Sequence, residues 1–275
     1  MQSNPRLGDH IRNALVRPFH KGLPTIEARK YISFYEEDES WNDTLLKFAK
    51  IDFNRVQLIH RQELSILSRW WNDLNFAEEF PYARDRIVEV YVWANGIHFE
   101  PQYAFSRMMV MKYIKIISLV VRNGLATCTY GVIMAASFLG MDEVAGGEEY
   151  EWLKSNPKII KAGKMIGRLR NDVVGHEDEQ KRGDCASGVE CYMKQNDVSE
   201  KKAIEEIQKM DVNVWKDINE DCMRPTNAPM LLLQHFVNLV RVTDVVYANG
   251  EAYTIPLGLK DYVALLYIEQ VPLYE

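Results

Sequence analysis

The sequence lacks several features that would place it in a common class of protein. Its four cysteines (Cys128, Cys185, Cys191 and Cys222) form neither a C-x-x-C pair nor zinc-finger spacing, so we expect free thiols. The net charge of −6 comes from mixed acidic and basic residues, which argues against a nucleic-acid partner. No nucleophile–base pair, glycine-rich phosphate loop or Walker motif is present either.

Long apolar segments are also missing. The longest uncharged run extends from Leu125 to Met141, and its seventeen residues include several hydroxyl side chains and two glycines. It is too short for a spanning helix, so we predict a buried core helix there and no membrane insertion. Residues Met1 to Pro24 contain scattered charges and no apolar stretch, which predicts no secretory signal and a cytoplasmic location.

What the sequence does contain is helical periodicity. Apolar side chains recur every three or four residues through most of the chain, with charged residues between them. Strand-like alternation is nearly absent, so we predict an all-α fold whose helices pack antiparallel around a core. The predicted helices are residues 40–75, 82–97, 104–121, 125–139, 157–179, 199–219, 231–246 and 257–269.

The most informative segment is Asn-Asp-Val-Val-Gly-His-Glu-Asp-Glu at residues 171–179. On a helix, Asn171, Gly175 and Glu179 drift by only about 80° around the axis, so they share one face. The side chain of Glu179 points back toward the helix N-terminus, in the direction of Asn171. Oxygen ligands on one face suit Mg²⁺, and Gly175 leaves room for a water molecule.

Cationic residues flank this motif on both sides. Arg168 lies one turn before Asn171, and Lys181 and Arg182 follow the motif. Arginine makes bidentate contacts with phosphate oxygens, so these cations would suit a diphosphate bound through Mg²⁺.

The same segment allows two other interpretations. It could be a charged helix face that is simply exposed to solvent. Alternatively, Asp172 and His176 stand four residues apart and could bind a transition metal, although no third ligand is evident in the sequence.

A second candidate site is Arg84-Asp85-Arg86, which precedes a predicted helix carrying Trp93. The two guanidiniums could hold a departing anion above an aromatic-lined pocket, whose ring faces would stabilise a cation. The alternative is a solvated arginine pair in which Asp85 and Glu89 form local ion pairs. The aromatic residues could equally be ordinary core.

Residues 171–179 resemble the second metal motif of class I terpene synthases, the N/D-D-x-x-S/T/G-x-x-x-E pattern. The resemblance to plant sesquiterpene synthases extends over nearly the whole chain. The similar segments are residues 20–33, 45–54, 69–71, 81–86, 99–103, 215–220 and 224–226. The resemblance implies an isoprenoid-synthase-type helical bundle, with residues 1–36 as a remnant of the N-terminal α-helical domain and residues 37–275 as the metal-binding domain.

The resemblance also implies a reaction. Mg²⁺, or alternatively Mn²⁺, would assist the ionisation of farnesyl diphosphate or a related prenyl diphosphate. Cyclisation of the allylic cation and loss of a proton would follow, with the metal neutralising charge on the leaving group inside a dry aromatic cavity. A monomeric protein is expected.

Roles for individual residues follow from the same resemblance. The implied metal-binding positions are Asn171, Gly175 (through a water or a group beside it) and Glu179. The implied substrate-binding residues are Arg84, Thr127, Tyr130, Arg168 and Asn171. The implied catalytic residues are Arg84, Arg86, Trp93, Tyr247 and Tyr253.

One departure from the family pattern has large consequences. In the family, the segment resembling residues 112–120 runs directly into an aspartate-rich D-D-x-x-D motif. Here residues 121–124 follow instead, and residues 125–130 resemble a helix several elements later. We therefore expect an incomplete bundle with an internal deletion near residues 121–124. The chain is then either an active synthase or a remnant that binds Mg²⁺ and diphosphate without turnover.

Overall fold

A computed structural model describes residues 8, 11–12, 14–15, 17–38, 41–75, 85–120, 129–182, 186–248, 250 and 256–273. Its helices are α1 (Pro24–Glu36), α2 (Asp43–Asp73), α3 (Ile87–Ile97), α4 (Ala104–Val120), α5 (Tyr130–Phe138), α6 (Gly147–Lys154), α7 (Lys158–Arg182), α8 (Gly188–Asn196), α9 (Glu200–Asp221), α10 (Met230–Val246) and α11 (Lys260–Val263). Three 3₁₀ turns cover Phe19–Lys21, Pro101–Tyr103 and Pro256–Leu259, and a π-helical turn covers Ala264–Ile268. The described residues contain no strand, which confirms the all-α prediction.

Capping side chains set several helix starts. The Asn42 side chain accepts a hydrogen bond from the Leu45 amide at 3.0 Å, so α2 begins at Asp43 rather than at the predicted residue 40. The Ser199 hydroxyl accepts from the Lys202 amide at 3.4 Å and starts α9 in the same way.

Some boundaries differ from the predicted ones. The predicted helix 82–97 begins only at Ile87, because Arg86 has non-helical dihedral angles (φ −132°, ψ 41°) and Asp85 is irregular. The predicted helix 257–269 is divided into 3₁₀, α and π turns. In the π turn the Glu269 amide donates to the Ala264 carbonyl at 2.8 Å, five residues earlier. Helices α1, α6 and α8 were not predicted at all.

Helix α10 is the central helix of the described bundle. Most of its residues are buried, and it packs against α3 on one side and α7 on the other. Glycines permit both close approaches. A Cβ added at Gly96 of α3 would lie 2.2 Å from the Val242 side chain, and one at Gly163 of α7 would lie 2.3 Å from the Phe236 ring. Because the helices lie this close, polar side chains on α10 contact residues of α3 and α7.

The N-terminal segment joins the same core. Leu23 and Ile26 are fully buried and cluster with core residues of α3 and α10. The predicted domain boundary after residue 36 stays a prediction. Of the cysteines, Cys191 and Cys222 are free thiols as expected, and the other two lie outside the described residues. None of the helices described is both long and apolar enough to cross a membrane.

The outer face of α2 carries apolar side chains that reach solvent. Leu45, Phe48 and Ile66 are 56%, 66% and 48% exposed, whereas Leu46 and Leu67 on the inner face are buried. An apolar face of this kind favours association with other molecules.

Candidate active site

Helix α7 carries the three predicted metal-binding positions. The carboxylate of Glu179 folds back along the helix and lies over Gly175, so that a Cβ at Gly175 would stand 3.2 Å from Glu179 Oε1. Asn171 is half-buried one turn before Gly175. The missing side chain at Gly175 therefore opens a space beside the Glu179 carboxylate, on the face that Asn171 shares.

A predicted catalytic aromatic meets this face. Tyr247 caps the C-terminal end of α10, and its hydroxyl donates a hydrogen bond to Asn171 Oδ1 at 3.4 Å. The side chain of Tyr247 is buried, which fixes its ring beside α7. The structure thus brings together one predicted metal-binding residue and one predicted catalytic residue, 76 residues apart in the chain.

Tyr130, predicted to line the substrate pocket, lies between α7 and α10. Its hydroxyl shares a 2.5 Å hydrogen bond with the Thr243 hydroxyl, and a Cβ at Gly167 would lie 2.7 Å from Tyr130 Oη. Burial raises the pKa of Tyr130, so the phenol stays neutral at physiological pH. This side chain therefore packs against Gly167 of α7 and supplies no charge.

Asp172 and His176 of the motif contact the start of helix α8. Arg168, about half exposed, donates from Nε to Asp172 Oδ2 at 2.9 Å. Asp172 packs against Gly188, where an added Cβ would lie 2.5 Å from Oδ2, and His176 Nδ1 lies 2.8 Å from Ser187 Oγ. No group of three His, Cys, Asp or Glu side chains able to hold a metal occurs in the described part of the chain. The transition-metal interpretation of Asp172 and His176 therefore lacks a third ligand there.

The cation predicted to follow the motif is engaged at the surface. Lys181 Nζ lies 3.7 Å from Glu177 Oε2 and 3.6 Å from Asp178 Oδ1, and all three side chains are exposed. Pairs of this kind are weak, so Lys181 can exchange partners readily.

The remaining predicted residues are on α3 or outside the described residues. Arg86 donates to Glu89 Oε1 at 3.3 Å, and Trp93 is half-buried and packs against the main core. Helix α3 contacts α10, which in turn contacts α7. Arg84, Thr127 and Tyr253 lie outside the described residues.

The structure also reveals charged residues that the sequence analysis passed over. Arg170, immediately before Asn171, contacts Asp211 of α9 and Asp244 of α10. Burial raises the pKa of Asp244 to about 6, with Arg170 opposing that shift. The sequence offered one signal, the additional arginine beside the metal motif, but no local pattern identifies its partners.

A cavity of about 510 Å³ lies elsewhere, at the start of α9. It is an open depression lined by Ser199, Glu200, Lys201, Ile204 and Glu205. None of these residues belongs to the predicted site.

The side chains on α7 fit a hard divalent cation. Asn171 offers an amide carbonyl and Glu179 a carboxylate, and the space over Gly175 would be filled by any larger residue. Two protein oxygens are too few to enclose an ion. They match the way Mg²⁺ is usually held, by one or two carboxylates or amides with waters and substrate phosphates completing the octahedron.

The chain is similar to known proteins over most of its length. Residues 72–121 and 120–217 match the sequence model of the terpene synthase family, metal binding domain. Probable terpene synthase 6 from Ricinus communis is 43% identical over 374 residues, covering 98% of this chain and 67% of that protein. A probable sesquiterpene synthase from Santalum austrocaledonicum is 35% identical over 361 residues, covering 97% and 64%.

A solved structure shows the same fold. Isoprene synthase from grey poplar leaves (Populus x canescens), in complex with three Mg²⁺ ions and dimethylallyl-S-thiolodiphosphate, superposes with a TM-score of 0.81 at 23% identity. The match covers 98% of this chain and 70% of that one. The chain thus spans about two thirds of the length of the proteins it resembles.

These findings show that the chain belongs to the terpene synthase family, whose members are lyases. The resemblance found in the sequence is therefore confirmed. The matched region is the family's metal-binding domain, which implies a divalent metal.

Proposed function

We propose that this chain is a class I sesquiterpene synthase that ionises and cyclises farnesyl diphosphate in the presence of Mg²⁺. The observation that carries the proposal is the α7 face, where the Glu179 carboxylate lies over Gly175 and Asn171 is held by Tyr247. The similarity to a probable sesquiterpene synthase supports the choice of a fifteen-carbon substrate.

The reaction begins with heterolysis of the carbon–oxygen bond to the diphosphate. The electron pair leaves with the diphosphate oxygen, and an allylic cation remains. Bound Mg²⁺ would neutralise charge on the leaving group. Glu179 and Asn171 would hold that ion, and Arg168, half exposed one turn earlier, would donate hydrogen bonds to the departing diphosphate.

The aromatic residues would act on the hydrocarbon part of the substrate. Tyr247 and Tyr130 are buried beside α7 with their hydroxyls engaged, so they present ring surface rather than free hydroxyls. Aromatic faces stabilise carbocations and exclude water, which would otherwise trap the cation. We extend the same role to Trp93, and a diphosphate-binding role to Arg84 and Arg86. Thr127 and Tyr253 stay predicted site residues.

A second candidate function is binding of Mg²⁺ and diphosphate without turnover. It is favoured by the missing aspartate-rich motif after Val120. Two further observations support an internal deletion: the two matches to the family meet at residues 120 and 121, and the alignment to the Ricinus protein spans 374 positions, longer than this 275-residue chain. Loss of one carboxylate cluster would leave the leaving group poorly neutralised, raising the barrier by several kcal/mol.

Incubation with farnesyl diphosphate and Mg²⁺, followed by gas chromatography with mass detection, tests turnover. A hydrocarbon product above a boiled control supports the synthase. Titration calorimetry with diphosphate, with and without Mg²⁺, tests binding. Mg²⁺-dependent binding without product supports the second function, and neither binding nor product contradicts both.

Two matched variants connect the result to the α7 face. Glu179→Gln removes the carboxylate that lies over Gly175, and we expect at least a tenfold loss of Mg²⁺-dependent binding. Glu177→Gln is the control, since its side chain is 79% exposed and lies off that face. Equal losses in the two variants would contradict the assigned face. Geranyl diphosphate, supplied in competition, tests the preferred chain length. The cytoplasmic location, the monomeric state and Mn²⁺ as an alternative ion stay predictions.

A further inference from the structure

A guanidinium that is 30% exposed lies behind the predicted metal-binding face of α7. Arg170 donates from Nε and Nη2 to the two carboxylate oxygens of Asp211, at 3.1 and 2.7 Å. Its Nη2 also lies 2.9 Å from Asp244 Oδ1. Both aspartate side chains are only 5% exposed. Asp211 belongs to α9 and Asp244 to α10, so one arginine joins α7 to both of its neighbours.

The charges in this cluster are balanced. Lys21 Nζ contacts Asp211 Oδ2 at 3.1 Å, so Lys21, Asp211, Arg170 and Asp244 alternate in sign. The bidentate contact with Asp211 fixes the plane of the guanidinium, whereas Asp244 forms an ion pair without an aligned hydrogen bond. Ion pairs with buried carboxylates add little net stability, and in some proteins they specify geometry.

The cluster lies next to the candidate site on two helices. Arg170 immediately precedes Asn171 on α7, and Asp244 lies one turn before Tyr247 on α10. The hydrogen bond from Tyr247 to Asn171 therefore lies one residue away from the ion pair on one helix and one turn away on the other. A shift of α7 against α10 would break both contacts together.

We propose that Arg170 is a positioning residue. Through Asp211 and Asp244 it fixes how α7 is placed against α9 and α10, and so holds Asn171 and Glu179 where they bind the metal. This inference rests on the proposed function. A direct role in binding diphosphate is disfavoured because two carboxylates already neutralise the guanidinium, in contrast to Arg168, which is half exposed.

The test compares variants of Arg170 in the full chain. The probe is Mg²⁺ in the presence of inorganic diphosphate, measured by titration calorimetry, with thermal melting followed by circular dichroism. Arg170→Met should weaken Mg²⁺ binding about tenfold or more, as loss of a group supporting metal ligands usually does. Arg170→Lys keeps the charge but cannot make the bidentate contact with Asp211. It should therefore melt at a higher temperature than Arg170→Met, while its Mg²⁺ binding stays weakened.

A control is available between the same two helices. Lys158 of α7 pairs with Asp217 and Glu220 of α9 at 3.0 and 2.7 Å, at the exposed end of α7 away from Asn171. Lys158→Met should change Mg²⁺ binding less than twofold. Asp244→Asn retains the Asp211 contact and should give an intermediate loss, which keeps the test available if Arg170→Met does not fold.

Three outcomes overturn the inference. Mg²⁺ binding within twofold of the unaltered chain in folded Arg170→Met would show that the arginine does not position the ligands. Binding that simply follows melting temperature across the Arg170 variants would show a purely structural role. No Mg²⁺-dependent binding by the unaltered chain would overturn the proposed function and this inference with it.

Discussion

Acid should destabilise this protein, because three histidines are buried in the neutral form. His60, His98 and His235 are 3%, 0% and 0% exposed. Burial lowers the pKa of all three, in the case of His60 to about 4. The rings of His98 and His235 have centroids only 4.1 Å apart, so a proton on one would face the other. The folded protein therefore resists protonation at all three positions.

The size of the effect follows from the protons bound. Below pH 6.5 the unfolded chain binds protons at these histidines that the folded chain does not, down to about pH 4 in the case of His60, so stability is lost as the pH falls. Each such proton contributes about 1.4 kcal/mol per pH unit. Asp244 acts in the opposite sense, because its raised pKa of about 6 lets the folded state hold a proton that the unfolded state has released. His60 and His98 contribute about two of these protons at pH 5.5 and Asp244 offsets about one, so the slope there is at least about 1.4 kcal/mol per pH unit, and His235 adds to it.

Urea unfolding followed by circular dichroism at pH 7.5, 6.0 and 5.0 measures this slope. His98→Gln should reduce the slope by about 1.4 kcal/mol per pH unit, the contribution of one proton, and Asp244→Asn should increase it by about the same amount. The reasoning requires the slope to change in opposite directions in the two variants, which tests it more strictly than a loss of stability in acid. A free energy of unfolding that varies by less than about 1 kcal/mol from pH 7.5 to 5.0 would refute the reasoning.

Three further predictions concern stability and solubility. Glu63→Gln leaves the fully buried Arg107, which Glu63 contacts at 2.6 Å, without its counter-charge, and should lower the free energy of unfolding by about 3 kcal/mol or more in urea melts. Gly163→Val places a Cβ atom 2.3 Å from the Phe236 ring and should lower the free energy of unfolding by about 1–3 kcal/mol. Gly131→Ala is the control, because open space surrounds Gly131 and the substitution should not lower the free energy of unfolding. Phe48→Glu should leave stability unchanged but raise the concentration at which light scattering detects aggregates; unchanged scattering would contradict a role for the exposed face of α2.

The sequence predicted the longest helices well, whereas α1, α6 and α8 were missed. Helix α7 was expected at residues 157–179 and is found at Lys158–Arg182, because its periodic apolar face is long enough to outweigh local preferences. Helices α6 and α8 have eight and nine residues, too few turns to display a periodic face, and they depend on packing and caps. Their existence could not be read from periodicity alone.

The candidate site divides in the same way. The shared face of Asn171, Gly175 and Glu179 follows from helix geometry and needed only the local sequence. The contacts of Arg170 with Asp211 and Asp244 join residues far apart in the chain, so they depend on how three helices meet. Hydrophobic periodicity predicts which face of a helix is buried. It does not predict which other helix packs on that face, or how the two helices are aligned along their lengths.

The contacts of Tyr130 bear on how the chain before it, between α4 and α5, can vary. Its ring and hydroxyl are held by Gly167 and Thr243, both of which come later in the chain. The register of α5 against α7 and α10 therefore does not depend on the length of the connection from α4. Changing the length of a connection costs little compared with losing a packed contact. A change in the length of the chain between Val120 and Tyr130 would therefore leave both contacts of Tyr130 available.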